Sequence, residues 1–504
     1  MGTLRPLIAL LALAVALPGC QGAGAQVLTH LSVPAPPAVG GEQQRLWVAL
    51  APHLGASPLV LQADQSPLRL RDGAGLQWQG QRLSLRWRLQ QRPQPLEIRR
   101  TVLGPFSSFE SAEQAALAWR AQGVEAVVAH PSDWEVWAPA TASAPKGYSA
   151  RLEQKTSAEE RRLQVSTPSG WKDLQEPVTL EAPGGLRWDG GVFAGPFRLQ
   201  SDAYGSWTLV EQVPLERYLL GVVPHEIGAG SPAAALAAQA VLARTWALGN
   251  QHRFAVDGYH LCADTQCQVY RDPRQAGAAV RQAITATSGQ VLSWQGKPIH
   301  AVYHASNGGV SADEDEAWRL PELAYLEPRL DHPARPLAAL KLPLDQRQEV
   351  ETLLAQGGFY GSAHPYFRWQ RQLTQEALRK ALGSRASALG TPIQPVVLER
   401  GPSGRVVRLA LRGPSGQVVL ERDAIRRSLR QLPSTLFVID PLSDGGWRFR
   451  GGGFGHGAGL SQAGAIDLAS RGWSVRQILD HYYPGAALLK LDRLPVGEAS
   501  GEGS

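Results

Sequence analysis

The sequence predicts a strand-rich α+β protein built from more than one module, on three observations. Between residues 148 and 220 the segments "SARLEQKT", "RRLQVSTPSG", "GPFRLQS" and "WTLVEQVPL" alternate and are punctuated by Gly, Pro and Ser, as half-buried strands joined by turns do. Directly after them, "SPAAALAAQAVLARTWALGN" (231–250) is a long, nearly uncharged helical run. At 504 residues the chain also exceeds a single typical domain.

Lys and Arg number 50 against 44 Asp and Glu, a net charge of +6, and the basic residues are scattered. Mild positive charge serves solubility or suits a polyanion such as cell wall. With no basic helix and no paired-Cys finger, nucleic-acid binding is not expected. Residues 1–25 carry Arg5, an apolar run from Leu7 to Leu17 and then small residues. The run is shorter than the ~20 residues a membrane span needs, so it reads as an export signal and places the protein in the periplasm or cell envelope. Two cleavages compete: "AGAQ" offers a site after Ala25, whereas "LPGC" resembles a lipoprotein box that would leave Cys20 lipidated, the one expected membrane attachment. Cys262 and Cys267 in "HLCADTQCQVY" then suit either a small disulfide loop or, with His260 or His252, a structural zinc site.

Residues 26–145 form a first module, Pro- and Gly-rich up to 75 and then a mix of strands with one helix, "SFESAEQAALAWRAQG", started by Ser108 and stopped by Gly123. The stretch from Leu103 to Trp137 resembles the second half of a SPOR domain, a module that binds peptide-free glycan; an ordinary α+β packing module is the alternative. The second unit spans 146–495, with a flexible tail at 496–504. In it, "GQVLSWQGKPIHAVYHASNGG" reads as a hairpin turning at Gln295 and Gly296, its second strand ending at Tyr303 and His304. A further strand pair lies in "RVVRLALRGPSGQVVL". The stretch 331–395 is Pro-rich, with amphipathic helices such as "LTQEALRKAL". Ser474 and Gln477 make a capping-box pattern for a last helix whose core face is Val475, Ile478, Leu479 and Tyr482.

Ser231, Pro232 and Gly249 bound a helix over 232–248, with Leu236, Ala240, Ala243 and Ala247 on one face. Gln239 and Arg244 are polar groups on this apolar rod, expected to point toward a site or to cap a buried carbonyl. Glu226 stands five residues before the helix start, among Val222, Val223 and Ile227. Desolvation there raises its pKa and a helix N-terminus lowers it. If burial wins, the group sits near pKa ~6 to 7 and can both give and take a proton; otherwise it is a helix-terminal Glu satisfied by backbone N–H groups. The Gly-rich "GGGFGHGAGLSQAGA" demands backbone freedom, and His456 at its centre is either a buried structural His or a sugar- or glutamate-orienting one. The run "ADEDEAW" (312–318) is either a solvated face or the source of a second carboxylate. Trp246, Trp294 and Trp318 are the tryptophans to weigh for sugar stacking against core packing.

The motifs "LERYLLGVVPHEI…SPAAALAAQAVLARTWAL", "CADTQCQVYR", "AVYHASNGGVSADEDEAW", "GRVVRLALRGPSGQVVL" and "GGGFGHGAGLSQAGAIDLASRGWSVRQILDHYYPG" resemble, in order, those of the SpoIID family, which includes the sporulation stage II protein D enzymes and the LytB amidase enhancers. The resemblance runs from about residue 180 to 492. It implies an α+β domain in which β-rich layers frame a groove over the Ala-rich helix. It also implies a lytic transglycosylase acting on peptidoglycan strands stripped of stem peptides, with Glu226 as the single catalytic acid and base. No second carboxylate is obligatory, because the sugar's own 6-hydroxyl is the nucleophile. Gln239, Arg244, His304, Ser306, His456, Ser461 and Gln462 are the expected substrate contacts. No cofactor is required, although some members hold zinc through Cys and His; here Gln266 stands where many have the His before the second Cys. A cell-wall amidase is the expected partner. The alternative is a non-catalytic glycan-binding amidase enhancer.

Overall fold

The computed structural model describes residues 27–40, 45–333 and 340–493, so the stretch expected to be an export signal, Cys20 and the tail from 496 lie outside the described residues. The protein is α+β and strand-rich. Among the described residues no helix is long and apolar enough to cross a membrane.

A seven-stranded sheet supports the centre. Its order is Leu261–Cys262, Arg45–Leu54, Trp207–Pro214, Phe197–Ser201, Val178–Glu181, Leu68–Arg71 and Gln77–Gly80, antiparallel except at the first pair. The expected boundary near residue 145 therefore does not divide the structure. Arg45–Leu54 buries Leu46 and Val48 completely, in one core with Leu209, Val213 and Leu236. That apolar face has no partner within its own neighbourhood in sequence, so it is spent on the later strands. A second sheet is built on the long antiparallel ribbon of Arg82–Phe106 and Ala150–Thr167. Where two strands are expected, Ala150–Thr167 is one, because the slack falls in its partner as a register shift between Gln91 and Leu96.

Helix α1 (Phe109–Arg120) is capped by Ser108, which accepts the Ser111 N–H at 3.2 Å, and packs Phe109, Ala116 and Trp119 against Trp134 and Val136. Helix α2 (Leu215–Val223) runs into the π-helical turn Pro224–Gly228, and α3 (Ala233–Gly249) follows. Ser231 does not cap α3; its hydroxyl donates to the Ile227 carbonyl at 2.7 Å. Every residue of α3 from Ala235 to Leu248 is buried, because α2, α4 (Ala278–Ala286) and the strand Gln290–Trp294 surround it together with two closing helices. Small side chains permit that approach.

The hairpin turns at Gln295 (φ 51°) and Gly296 (φ 78°), a pair of positive φ values typical of a tight two-residue turn. Its second strand stops at Pro298, however, and Tyr303–His304 pairs instead, in parallel, with Leu460–Ser461 in the Gly-rich segment. Gly459 permits this: a Cβ there would lie 2.0 Å from the Val302 carbonyl oxygen.

Residues 312–459 wrap over this centre with α5 (Glu314–Trp318), α6 (Arg347–Ala355), α7 (Gln375–Leu382) and α8 (Asp423–Ser428). They also hold two three-stranded sheets, Gln394–Arg400 with Val406–Gly413 and Gly416–Glu421, and Trp369–Leu373 with Trp447–Gly451 and Phe437–Pro441. Helices α9 (Gln462–Ser470) and α10 (Val475–Tyr482) close on α3, the latter behind the expected Ser474 capping box.

Candidate active site

The π-helical turn between α2 and α3 presents Glu226 to a cleft of ≈ 770 Å³. Three parts of the chain wall it: Ser108 and Phe109 at the start of α1, Trp246 and Tyr303 of the centre, and Trp318, Arg426 and Phe454 of the covering segment. They are fastened together by Arg253 to Glu110, Arg427 to Asp133, and Ser108 to Asp423 at 2.6 Å.

Burial dominates the Glu226 carboxyl and pushes its pKa up to about 7, although the Val269 N–H, donating to Oε1 at 2.9 Å, and the Tyr303 hydroxyl pull the other way. The Tyr303 hydroxyl is oriented for this. It accepts from Gln268 Nε2 at 2.9 Å, and Gln268 Oε1 is taken by the Tyr218 hydroxyl at 3.2 Å, so the Tyr303 proton is left for Glu226. A carboxyl so held is protonated in half the molecules near neutrality and has no cation beside it, which is the state a general acid needs. Tyr303→Phe removes a donor to the carboxylate form, so the Glu226 pKa is expected to move above about 7. Titration of the labelled Glu226 carboxyl by carbon NMR checks this, and a downward shift would contradict the arrangement.

His456 lines the cleft as a neutral ring, its pKa pushed down to about 3 by burial. Nδ1 accepts the Ala458 N–H at 3.2 Å, so Nε2–H donates to the Tyr303 carbonyl at 2.9 Å, and the ring lies 4.7 Å from Trp318. Of the two readings from sequence, it orients the backbone of the residue facing Glu226. Trp246 and Trp318 also line the cleft, whereas Trp294 packs on Tyr325 at 5.8 Å.

The other expected contacts are not brought into the cleft. Gln239 is fully buried and accepts from Gln462 Nε2 at 3.2 Å, so this pair ties α3 to α9 instead of meeting a sugar. Arg244, fully buried, grips Glu216 through two bonds of 2.8 and 2.7 Å and donates to the Gln290 carbonyl at 3.0 Å. His304 is buried behind His456 and donates from Nδ1 to the Ala458 carbonyl at 3.1 Å. Ser306 is buried, and its backbone bridges Phe454. Ser461 caps α9 by accepting the Gly464 N–H at 3.2 Å. These groups bond mainly to backbone and to one another, as burial demands, but Gln239 Nε2 and His304 Nε2 are buried without a hydrogen-bond partner.

The zinc expectation at Cys262, Cys267 and His260 does not fit. The two sulfurs are bonded to each other, and His260 accepts from the Trp47 N–H at 2.9 Å while donating to the Pro37 carbonyl at 3.0 Å. The disulfide closes the loop from Cys262 to Cys267, directly before Gln268 and Val269. Replacing both cysteines by Ser should cost about 2 kcal/mol for so short a loop, read as a lower urea midpoint under oxidising conditions.

The acidic run is not a solvated face. Glu314 and Glu316 are buried, and Glu316 reaches the cleft wall with its pKa raised to about 7 by burial. Its oxygens are occupied by the Ser403 N–H (3.0 Å) and hydroxyl (2.6 Å) and by the Asp313 N–H (3.2 Å) of the α5 capping box. Sequence reading missed Tyr366 and Phe454, a stacked, solvent-facing pair in the cleft with centroids 5.0 Å apart, and the arginines beside them. The one available signal was an apolar Phe454 inside a run of glycines.

The acid stands in the turn before the Ala-rich helix and faces an aromatic-walled cleft, and the proteins this chain resembles are cell-wall-related. Residues 203–294 match the family described as Stage II sporulation protein (SpoIID), and residues 312–459 match a domain of unknown function, DUF8618. Stage II sporulation protein D of Bacillus amyloliquefaciens is 26% identical over 308 residues, 56% of this chain and 76% of that protein. Its counterpart in Bacillus subtilis is 27% identical over 309 residues, with the same shares. The amidase enhancer of Bacillus subtilis is 26% identical over 295 residues, 54% of this chain and 40% of that protein. The chain is thus similar to SpoIID proteins through residues 203–294 and, at about a quarter identity, to curated relatives over more than half of its length.

Proposed function

We propose that this protein is an exported peptidoglycan lytic transglycosylase with Glu226 as its single general acid and base. The observation that carries the reading is the Glu226 carboxyl on the cleft floor with its pKa near 7. In the reaction, protonated Glu226 gives its proton to the glycosidic oxygen as the bond from that oxygen to the muramic C1 breaks. The resulting carboxylate then takes the proton of the same sugar's 6-hydroxyl as that oxygen bonds to C1. The product is a 1,6-anhydro ring, and Glu226 ends protonated, ready for another turnover. The Val269 N–H and the Tyr303 hydroxyl stabilise the carboxylate formed midway, and Trp246, Trp318 and the Tyr366–Phe454 pair offer faces for sugar rings. The start of α1, through Ser108 and Phe109, borders the same path, which is compatible with a glycan-holding role for the first module. No metal or cofactor is called for, since the substrate supplies the nucleophile.

The test is mass spectrometry of intact and amidase-stripped peptidoglycan after incubation with the protein. Anhydro-muramic ends support the proposal. Reducing ends would instead point to water activated by a second carboxyl, for which Glu316 is the cleft candidate. Glycan bound but uncut, with stimulation of an added amidase, would favour the enhancer reading that one relative's name suggests.

A further inference from the structure

The cleft wall opposite the centre is basic. Arg422, Arg426, Arg427 and Arg430 succeed one another along α8 and the turn after it, and Arg371 enters from the strand Trp369–Leu373. Two are already committed: Arg422 to Asp315 at 3.0 Å, and Arg427 to Asp133. The other three make no ion pair among the described residues. Arg371 donates to its neighbour's carbonyl, Gln370 O, at 2.8 Å, and Arg430 to the Arg427 carbonyl at 3.4 Å. Arg426 keeps a buried Nε with no hydrogen-bond partner. Asp423, the acid on the same helix, is taken up by the hydroxyls of Ser108 (2.6 Å) and Ser111 (3.0 Å).

Like charges on one wall repel one another, the Asp423 charge favours only the Arg426 cation, and a buried guanidinium nitrogen lacking a partner is costly. A cleft that keeps them is suited to an anion that completes them, and the planar fork of Arg suits a carboxylate. Beside them lies the exposed Tyr366–Phe454 stack, with the Arg371 guanidinium 5.7 Å from the Tyr366 ring. Aromatic faces bind pyranose faces, so the ligand implied is a sugar that bears carboxylates. On a peptidoglycan strand, hydrolysis of the amide between the lactyl group and the stem peptide leaves one free carboxylate on each muramic acid; with the peptide attached, that group is a neutral amide.

We propose that Arg371, Arg426 and Arg430 form a subsite for the lactyl carboxylate of peptide-free muramic acid, with Tyr366 and Phe454 stacking on the strand. This rests on the proposed function for the identity of the polymer. It puts the selection of stripped strands, which the family resemblance already implies, on named residues of the covering segment, outside the stretch that the SpoIID family model matches.

The test measures binding to the full-length protein carrying Glu226→Gln, so that nothing is cut. The probes are fluorescently labelled amidase-stripped glycan oligomers, native and with their carboxyls reduced to alcohols. Native oligomers are expected to bind at least about tenfold more tightly than reduced ones at low salt. Adding Arg371→Gln and Arg430→Gln, both on accessible side chains, should remove most of that preference, and Arg426→Gln should remove it further. Arg426→Lys should restore only part, because a point charge replaces a fork. Equal affinity for the two probes overturns the subsite, as does a preference unchanged by the accessible double substitution, which tests the idea even if the Arg426 variants fail to fold. Cleavage products of the wild type, analysed in parallel, keep the two proposals apart. Anhydro ends without carboxylate preference would sink the subsite alone, whereas carboxylate preference without anhydro ends would sink the transglycosylase alone.

Discussion

Glu226→Gln is expected to lower the rate of glycan cleavage by about 10³-fold, within the range that a positioned general acid and base contributes. Gln keeps the shape and can still accept the Val269 N–H, but it has no proton to give to the glycosidic oxygen. The measurement is the initial rate of anhydro-muramic release from stripped strands. A loss under about tenfold would mean that another group carries the proton. The pH dependence follows from the raised pKa. Above about 7 the wild type loses its acid, so kcat/KM should fall about tenfold per pH unit on the alkaline side. The same shift acts on stability. Between the ordinary value of 4.5 and about 7 the folded protein holds a proton that the unfolded chain has released, so stability falls as pH rises through that window. Gln is neutral throughout. The variant should therefore match the wild type near pH 4 and become the more stable protein by pH 8, by at most about 3 kcal/mol. Urea midpoints at the two pH values read this directly, and a gap that does not widen with pH would refute the burial argument.

What the sequence disclosed about this site was local. The Pro and Gly residues bounding Glu226, and the absence of helix breakers from Ala233 to Leu248, place the acid at a turn before a buried helix, and the structure keeps both. The competition between burial and the helix terminus is also visible in the sequence, but its outcome is not. It depends on Val269 and Tyr303, which arrive from other elements.

Gln239 and Arg244 mislead for the same reason. A polar residue on an apolar helix signals a partner, and whether that partner is a sugar or the protein itself depends on contacts 28 residues away for Arg244 and 223 for Gln239. The Tyr366–Phe454 pair and the arginine row carry no periodic signal, since they become one surface only when residues 312–459 fold across the centre. The strand Arg45–Leu54 likewise joins the central sheet by pairing with Trp207–Pro214, a distance over which composition says nothing about registry.

Arg244→Ala is expected to destabilise the protein by about 3–5 kcal/mol, the scale for breaking a buried charge pair. Arg244 is fully buried, and its fork holds Glu216 of α2 while Nη1 reaches the Gln290 carbonyl at the start of the hairpin, so one side chain joins three elements. Truncation leaves Glu216 with only the Gly289 N–H at 3.1 Å and opens a cavity at a fully buried position. Glu216 is itself one third exposed, so it can turn toward water. Arg244→Met, which refills the space, should therefore recover more than half of the loss. Glu216→Ala should cost nearly as much as Arg244→Ala, because it strands a guanidinium with no route to solvent, and the double substitution should cost less than the sum. Chemical denaturation of the four proteins measures this cycle; additive losses would mean that the pair is not coupled. The strut also spans the two helices on either side of Pro224–Gly228. Arg244→Met should consequently bind glycan with little change yet cleave it more slowly, since the angle between α2 and α3 fixes where the Glu226 carboxyl stands relative to the scissile oxygen.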